Sequence, residues 1–265
     1  MKMLLRHLAL PALLGTLCFS TTTRAQEFSA KDLAGRLSAA VLDGDSVTKL
    51  RMKIEPSGGG DKTLVQVQIK ARRLPGKTQV VYQLLWPKER MGESFLLSKT
   101  KGNSAEGHSF RLPKEVTSLK SAQLKDSVFG SDLAYLDVVE NFFAWESQSL
   151  AGQETINRVN CLILESKPGS SDSTLYGVVR SWVDPKKLVT MRVEKFDPSG
   201  KLVRRIDTDR VAKSDLGKDI PASLVVTRPG SGTVTELEGS NIRHDVKYSD
   251  HDFTVPAMAD LRIPR

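Results

Sequence analysis

The sequence predicts a mainly β fold of the α+β kind, one domain built on antiparallel strands, and three observations carry this. Apolar and polar residues alternate with a period of two over most of the chain, the pattern of strands with two unlike faces. Turn-forming clusters such as Ser57-Gly-Gly-Gly-Asp61, Pro75-Gly76, Asp197-Pro-Ser-Gly200 and Pro229-Gly-Ser-Gly232 separate these runs at hairpin distance. Helical periodicity is confined to one stretch near the start and a short piece in the middle.

The first residues form a separate unit. Lys2 and Arg6 precede an apolar run from Leu8 to Phe19, and a polar run ends in Thr23-Arg24-Ala25, the layout of a secretory signal peptide. The apolar run is shorter than the roughly 20 residues needed to span a bilayer as helix. Cleavage is expected near Ala25, leaving residues 26–265 as the domain. Cys18 follows Leu17 rather than a small residue, which argues against lipid attachment there. Loss of Lys2, Arg6 and Arg24 lowers the net charge from +8 to +5, an excess spread along the chain. Neither that spread nor export suits nucleic acid, while weak attraction to anionic membrane surfaces remains open. Cys161 is then the sole cysteine, so no internal disulfide can form. Its apolar setting, Val159 to Leu164, predicts a buried structural thiol.

Ser29-Ala-Lys-Asp32 is a helix start resembling a capping box, and Leu33, Leu37, Ala40 and Val41 repeat at helical spacing until Gly44. Val47–Ile54 is expected to pair with Thr63–Arg72 as a hairpin. In the latter, Val65, Val67, Ile69 and Ala71 share one face, and Gln66, Gln68, Lys70 and Arg72 form the other, predicted to be wet. Gln79–Trp86 follows with Val80, Tyr82, Leu84 and Trp86 on one face, then Glu93–Thr100 and His108–Leu112 around Gly102-Asn103. Residues 113–144 are irregular, with a short helix expected after Ser131 or Asp132. Strands resume at Trp145–Leu150, Val159–Ser166, Leu175–Val183, Leu188–Phe196, Leu202–Ala212, Ala222–Arg228 and Thr233–Arg243, with a turn at Gly152-Gln153 between the first two. The sum is about eleven or twelve strands, enough for a sandwich or for a sheet curled around a cavity.

Chemistry is harder to find. His108, His244 and His251 have no zinc-like spacing, and the stretch from His244 to Asp252 reads as a polar loop. Asp207 and Asp209 lie among arginines and read as an ion-pair face. Nucleophile elbow and phosphate-binding loop are absent. No catalytic residue, metal site or cofactor is therefore assigned, and the chain is read as a non-enzyme. Large residues such as Tyr82, Trp86, Phe95, Phe142, Phe143, Tyr176, Trp182 and Met191 either fill a core or line an apolar ligand site.

Three segments in this order resemble the LolA-like family of bacterial outer-membrane lipoprotein-sorting proteins. They are Val128-Phe-Gly-Ser-Asp-Leu-Ala-Tyr-Leu-Asp137, the long hairpin from Trp182 to Leu202 with its Asp-Pro-Ser-Gly-Lys turn, and Leu84-Leu-Trp-Pro-Lys-Glu-Arg-Met-Gly-Glu-Ser-Phe95. The resemblance implies a half-barrel sheet whose concave apolar side is covered by helices and a loop. It further implies a periplasmic, monomeric carrier of lipid or lipoprotein acyl chains, served by an inner-membrane transporter. The cavity would be lined by Val65, Val67, Ile69, Val80, Tyr82, Leu84, Trp86 and Phe95, with Trp182 and Met191 contributing less. An arginine on an early strand, Arg51 or Arg72 by position, would hold the cover. The rival expectation is a periplasmic sensor that uses the same sheet to bind lipoprotein and regulate a membrane partner.

Overall fold

In the computed structural model, residues 29–113, 115–239 and 241–263 are described, and the expected signal peptide lies outside them. Helix α1 (Ala30–Val41) opens the fold, and the Ser29 hydroxyl accepts from the Asp32 N–H, as its sequence predicts. The strands are β1 (Gly44–Pro56), β2 (Thr63–Leu74), β3 (Lys77–Trp86), β4 (Ser94–Thr100), β5 (Glu106–Arg111), β6 (Glu115–Leu119), β7 (Ser147–Ile156), β8 (Val159–Lys167), β9 (Val178–Asp184), β10 (Val189–Phe196), β11 (Leu202–Lys213), β12 (Asp219–Thr227), β13 (Thr233–Glu238) and β14 (Ile242–Arg243). All belong to one 14-stranded sheet, ordered β6-β5-β4-β3-β2-β1-β13-β12-β11-β10-β9-β8-β7 with β14 beside β1. It is two meanders joined where β1 meets β13, from Arg51 opposite Glu238 to Pro56 opposite Thr233. Every pairing is antiparallel, so hairpins suffice for most connections.

The strand count exceeds the twelve expected segments for two local reasons. Glu115–Leu119 is mostly exposed and carries no apolar alternation, yet it pairs with β5 as an edge strand. The last strand run breaks at Gly239 into β13 and β14. Gly152 is not a turn. It sits at a register shift inside β7, and the turn falls at Asn157-Arg158, both with positive φ. The segment between β6 and β7 is a string of short 3-10 turns, Gln123–Lys125, Tyr135–Val138 and Phe142–Ala144. The helical turn expected after Ser131 or Asp132 thus begins later, at Tyr135, where the Asp137 carboxylate accepts from the Ala134 N–H at 2.7 Å.

The polar face of β2 is wet only in part: Gln66 is exposed, whereas Gln68 and Lys70 are buried and Arg72 is partly covered. The C-terminal segment, residues 244–263, crosses it as a strap: Val246, Tyr248, Phe253 and Met258 pack on Val47, Val81 and Leu96. Beneath it Gln83 Nε2 donates to the Met258 and Asp260 carbonyls, Gln68 Nε2 to the Leu261 carbonyl, and Lys70 Nζ to the Asp260 carbonyl at 2.6 Å. Lys70 is only 2 % exposed, and burial pushes its ammonium below the ordinary lysine value. Alternation reports that two faces differ, and here the more polar one hydrogen-bonds a backbone instead of water.

Register is enforced sterically at one glycine. A Cβ on Gly107 of β5 would collide with the Leu96 carbonyl of β4 and crowd the Leu97 side chain. Gly107→Ala is therefore expected to cost about 1–3 kcal/mol in urea unfolding. An unchanged midpoint would contradict this pairing.

Candidate functional site: the covered concave face

Alternation places one residue of each pair on the inner face. β1 supplies Met52 and Ile54, β2 Val65, Val67, Ile69 and Ala71, β3 Val80, Tyr82 and Leu84, and β4 Phe95 and Leu97, all in a single apolar cluster. From the second meander come Leu164, Val179, Val183, Val193, Val226 and Leu237. Leu33, Ala34 and Leu37 of α1 and the 3-10 segment close over them, the latter through Leu133, Tyr135, Leu136, Phe142 and Phe143.

Seven of the ten expected lining residues, Val65, Val67, Ile69, Val80, Tyr82, Leu84 and Phe95, thus meet on this face. Each is buried beneath the cover. Three do not join them. Trp86 ends β3 beyond the register shift at Gln66/Val67 and is 45 % exposed. Trp182 alternates with the inner Val179 and Val183 and so faces outward, where it packs with Met191, Val189 and Cys161 in a separate cluster. Met191 sits at a register shift in β10, which decouples it from the inward parity of Val193.

The cover is fastened in two unlike ways. At one point Phe95 stacks on Tyr82 of the sheet at 4.7 Å and meets the cover's Phe129 at 5.4 Å and Tyr135 edge-on at 4.9 Å. At the other, Asp137 of the cover enters a polar nest. Its Oδ1 accepts from Lys195 Nζ at 2.7 Å and from the Tyr176 hydroxyl at 2.6 Å, and its Oδ2 from Arg204 Nη1 at 2.8 Å. Arg204 Nε also donates to the Asp132 carbonyl at 2.6 Å. Burial alone would push the Asp137 carboxyl up, but the charges of Lys195 and Arg204 prevail and hold it below the usual carboxylate value. Burial and the adjacent carboxylate push Tyr176 well above the ordinary phenol, keeping it a neutral donor. The Lys195 ammonium lies 5.0 Å from the Tyr176 ring and 5.5 Å from Phe142.

The arginine holding the cover is therefore on β11, not on an early strand. Arg51 is a surface residue 3.8 Å from Glu238. Arg72 lies on the opposite face of the sheet, where it donates to Asp45, Asp250 and the Tyr248 carbonyl and so grips the strap. Sequence reasoning missed Lys195 and Arg204, although both carried a signal. Each is a charge at an inward position, two residues from Val193 and Ile206 respectively. In the sequence Asp132 is legible only as a candidate helix start, and Asp137 only as the end of the Val128–Asp137 segment.

Beside the nest the cover does not meet the sheet fully. A cavity of about 670 Å³ opens between residues 125–136 of the cover, Tyr176, the start of β11 and the β12–β13 turn. Among the described residues no cluster of His, Cys, Asp and Glu could hold a metal. His244 is pinned between Asp215 at 2.6 Å and Asp43 at 3.2 Å rather than lying free in a polar loop.

Solved structures share this architecture. A DUF1329 family protein from Desulfovibrio piger superposes with a TM-score of 0.78 at 23 % identity, over 86 % of this chain and 97 % of its own. A putative outer membrane lipoprotein-sorting protein domain from Vibrio parahaemolyticus gives 0.76 at 19 %, over 87 % and 98 %. A LolA superfamily protein from Nitrosomonas europaea gives 0.69 at 17 %, over 87 % and 99 %. No curated protein matches the chain. A family model described as "-like: Uncharacterized protein" matches residues 76–260, most of the strands together with the cover. The chain belongs to that family, and its fold is LolA-like.

Proposed function

We propose that the protein is exported to the periplasm, after cleavage near Ala25, and carries lipid or lipoprotein acyl chains as a monomer between an inner-membrane donor, such as a transporter, and an outer-membrane acceptor. It works by binding, without covalent chemistry. The observation that carries this reading is a continuous apolar concave face under a cover built of short 3-10 turns, with a cavity of about 670 Å³ at the cover's edge. Ligand cavities commonly fall in the range of about 300–1,000 Å³. Each methylene transferred from water to such a surface gains about 0.8 kcal/mol, so an acyl chain gains enough to displace the cover's own apolar residues. Cargo would enter at the cavity and lift the cover away from Val67, Val80 and Leu84.

Native mass spectrometry of the mature protein from its own periplasm, before and after organic extraction, tests this. The expected result is a released mass matching a lipid or lipopeptide. A bare polypeptide that also takes up no added fatty acid would make the concave face an ordinary filled core and end the carrier reading.

A further inference from the structure

The cavity beside the Asp137 nest has two unlike walls. Leu136, Leu202 and Val203 form an apolar side, which Leu136 and Val203 join to the concave cluster. Lys125, Lys201 and Arg228 stand around the other side, together with Asp126 and Asp197. The Asp197 carboxylate is already engaged in its own turn, where Oδ1 accepts from the Ser199 N–H at 2.9 Å, the Ser199 hydroxyl at 2.6 Å and the Lys201 N–H at 3.0 Å. Arg204 also touches the cavity, but two of its N–H groups are committed to Asp132 and Asp137.

Arg228 is different. Its Nε is buried and donates to no protein acceptor. Its ion pair with Asp132 is long, Nε to Oδ1 at 4.0 Å and beyond hydrogen-bond reach, and both Asp132 oxygens already accept from threonines, Thr233 and Thr235, at 2.9 Å each. A buried donor without an acceptor is costly, and a guanidinium fork matches a carboxylate or phosphate in bidentate fashion. Lys125 makes no ion pair or hydrogen bond through its ammonium among the described residues. Both cations thus keep their donors for something that enters the cavity.

We propose that this cavity receives the head of an anionic amphiphile, a carboxylate or phosphate bound by Arg228 with Lys125 and Lys201 around it, while the chain passes over Leu136, Leu202 and Val203 toward the concave face. This rests on the acyl-chain reading above and adds to it a selection by headgroup charge. Arg228 fixes the head, and Leu136, the neighbour of the nest's Asp137, lies against the first part of the tail. Occupation of the cavity therefore acts on the edge of the cover that the polar nest holds down.

The experiment compares oleate with monoolein, which share a chain and differ in head charge, by calorimetric titration of the mature protein below the lipids' aggregation concentrations. Lysophosphatidylglycerol against lysophosphatidylcholine repeats the comparison with phosphate heads. The wild-type protein is expected to bind each anionic member at least tenfold more tightly than its partner, with the ratio shrinking as salt is raised. Arg228→Met, which keeps the stem and removes the donors, is expected to bring both ratios close to one, and Lys201→Met to lower them partially. A preference confined to one pair identifies which of the two anions the fork accepts. Equal affinities in the wild type, or a preference that survives Arg228→Met, overturn the proposal while leaving the acyl-chain reading intact. Binding of none of the four lipids overturns that reading and this proposal together.

Discussion

Asp137→Asn is expected to lower the unfolding free energy by about 3–5 kcal/mol, the range for removing one partner of a buried ion pair. The asparagine keeps the shape and some hydrogen bonding. It cannot neutralise Lys195 and Arg204, whose side chains are 2 % and 5 % exposed and have no other carboxylate within pairing distance among the described residues. The paired substitution Asp137→Asn with Lys195→Met should recover part of the loss, because only one buried cation then remains. Urea unfolding followed by tryptophan fluorescence measures both, and a single-variant loss below about 1 kcal/mol would mean the nest is solvated and does not hold the cover. The wild type carries a related pH dependence. Asp137 has a depressed value in the folded state, so its contribution is fully present above the ordinary carboxylate value near pH 4 and is lost as pH falls through the folded value. Stability should therefore decline on acidification with a steeper slope than in Asp137→Asn, and parallel slopes would place the acid sensitivity elsewhere.

Phe95→Ala is expected to cost about 3–5 kcal/mol, as large-to-small changes in closed cores do. Phe95 is wholly buried, and its ring is the single aromatic that touches Tyr82 below and both Phe129 and Tyr135 above. Its loss leaves a void between sheet and cover rather than within either. On the carrier reading the same variant gains room where cargo would lie, so it should take up fatty acid faster while melting earlier. Slower uptake with normal melting would separate Phe95 from the cover. Thermal melting and stopped-flow uptake read the two effects independently.

Most of the sheet was legible because its information is local. A period-two run such as Val65 to Ala71 identifies both the strand and its inner face without knowledge of any partner. Residues at strand ends and bulges escaped this logic. Trp86 and Met191 have the right type and spacing, but a register shift next to each redirects the side chain. The polar nest was hidden for another reason, since Asp137, Lys195 and Arg204 are separated by tens of residues and acquire meaning only when the cover folds onto β10 and β11. The dry part of β2's lower face was equally unreadable, because what covers it arrives from the far end of the chain. Arg228 lies at the mouth of a turn, where alternation says nothing of direction.

The strap also divides the sheet mechanically. Over the half containing β1 to β4, the outer surface is bound by Val246, Tyr248, Phe253 and Met258 and stitched by Gln68, Lys70 and Gln83 to the carbonyls of Met258, Asp260 and Leu261. Changing the curvature there requires those bonds to stretch or exchange. On the half containing β8 to β11, the outer cluster of Cys161, Trp182, Val189 and Met191 is made by the strands' own side chains, which can slide as the sheet bends. By this argument one half is expected to act as a stiff wall and the other as a spring leaf. The Asp137 nest, being anchored on β10 and β11, is carried by the compliant half, so flexing that leaf outward would pull Lys195 and Arg204 from their carboxylate while Phe95 stays on the rigid one. On the carrier reading, the bending stiffness of the two halves, rather than their apolar area, would set the order in which the cover's two fastenings let go.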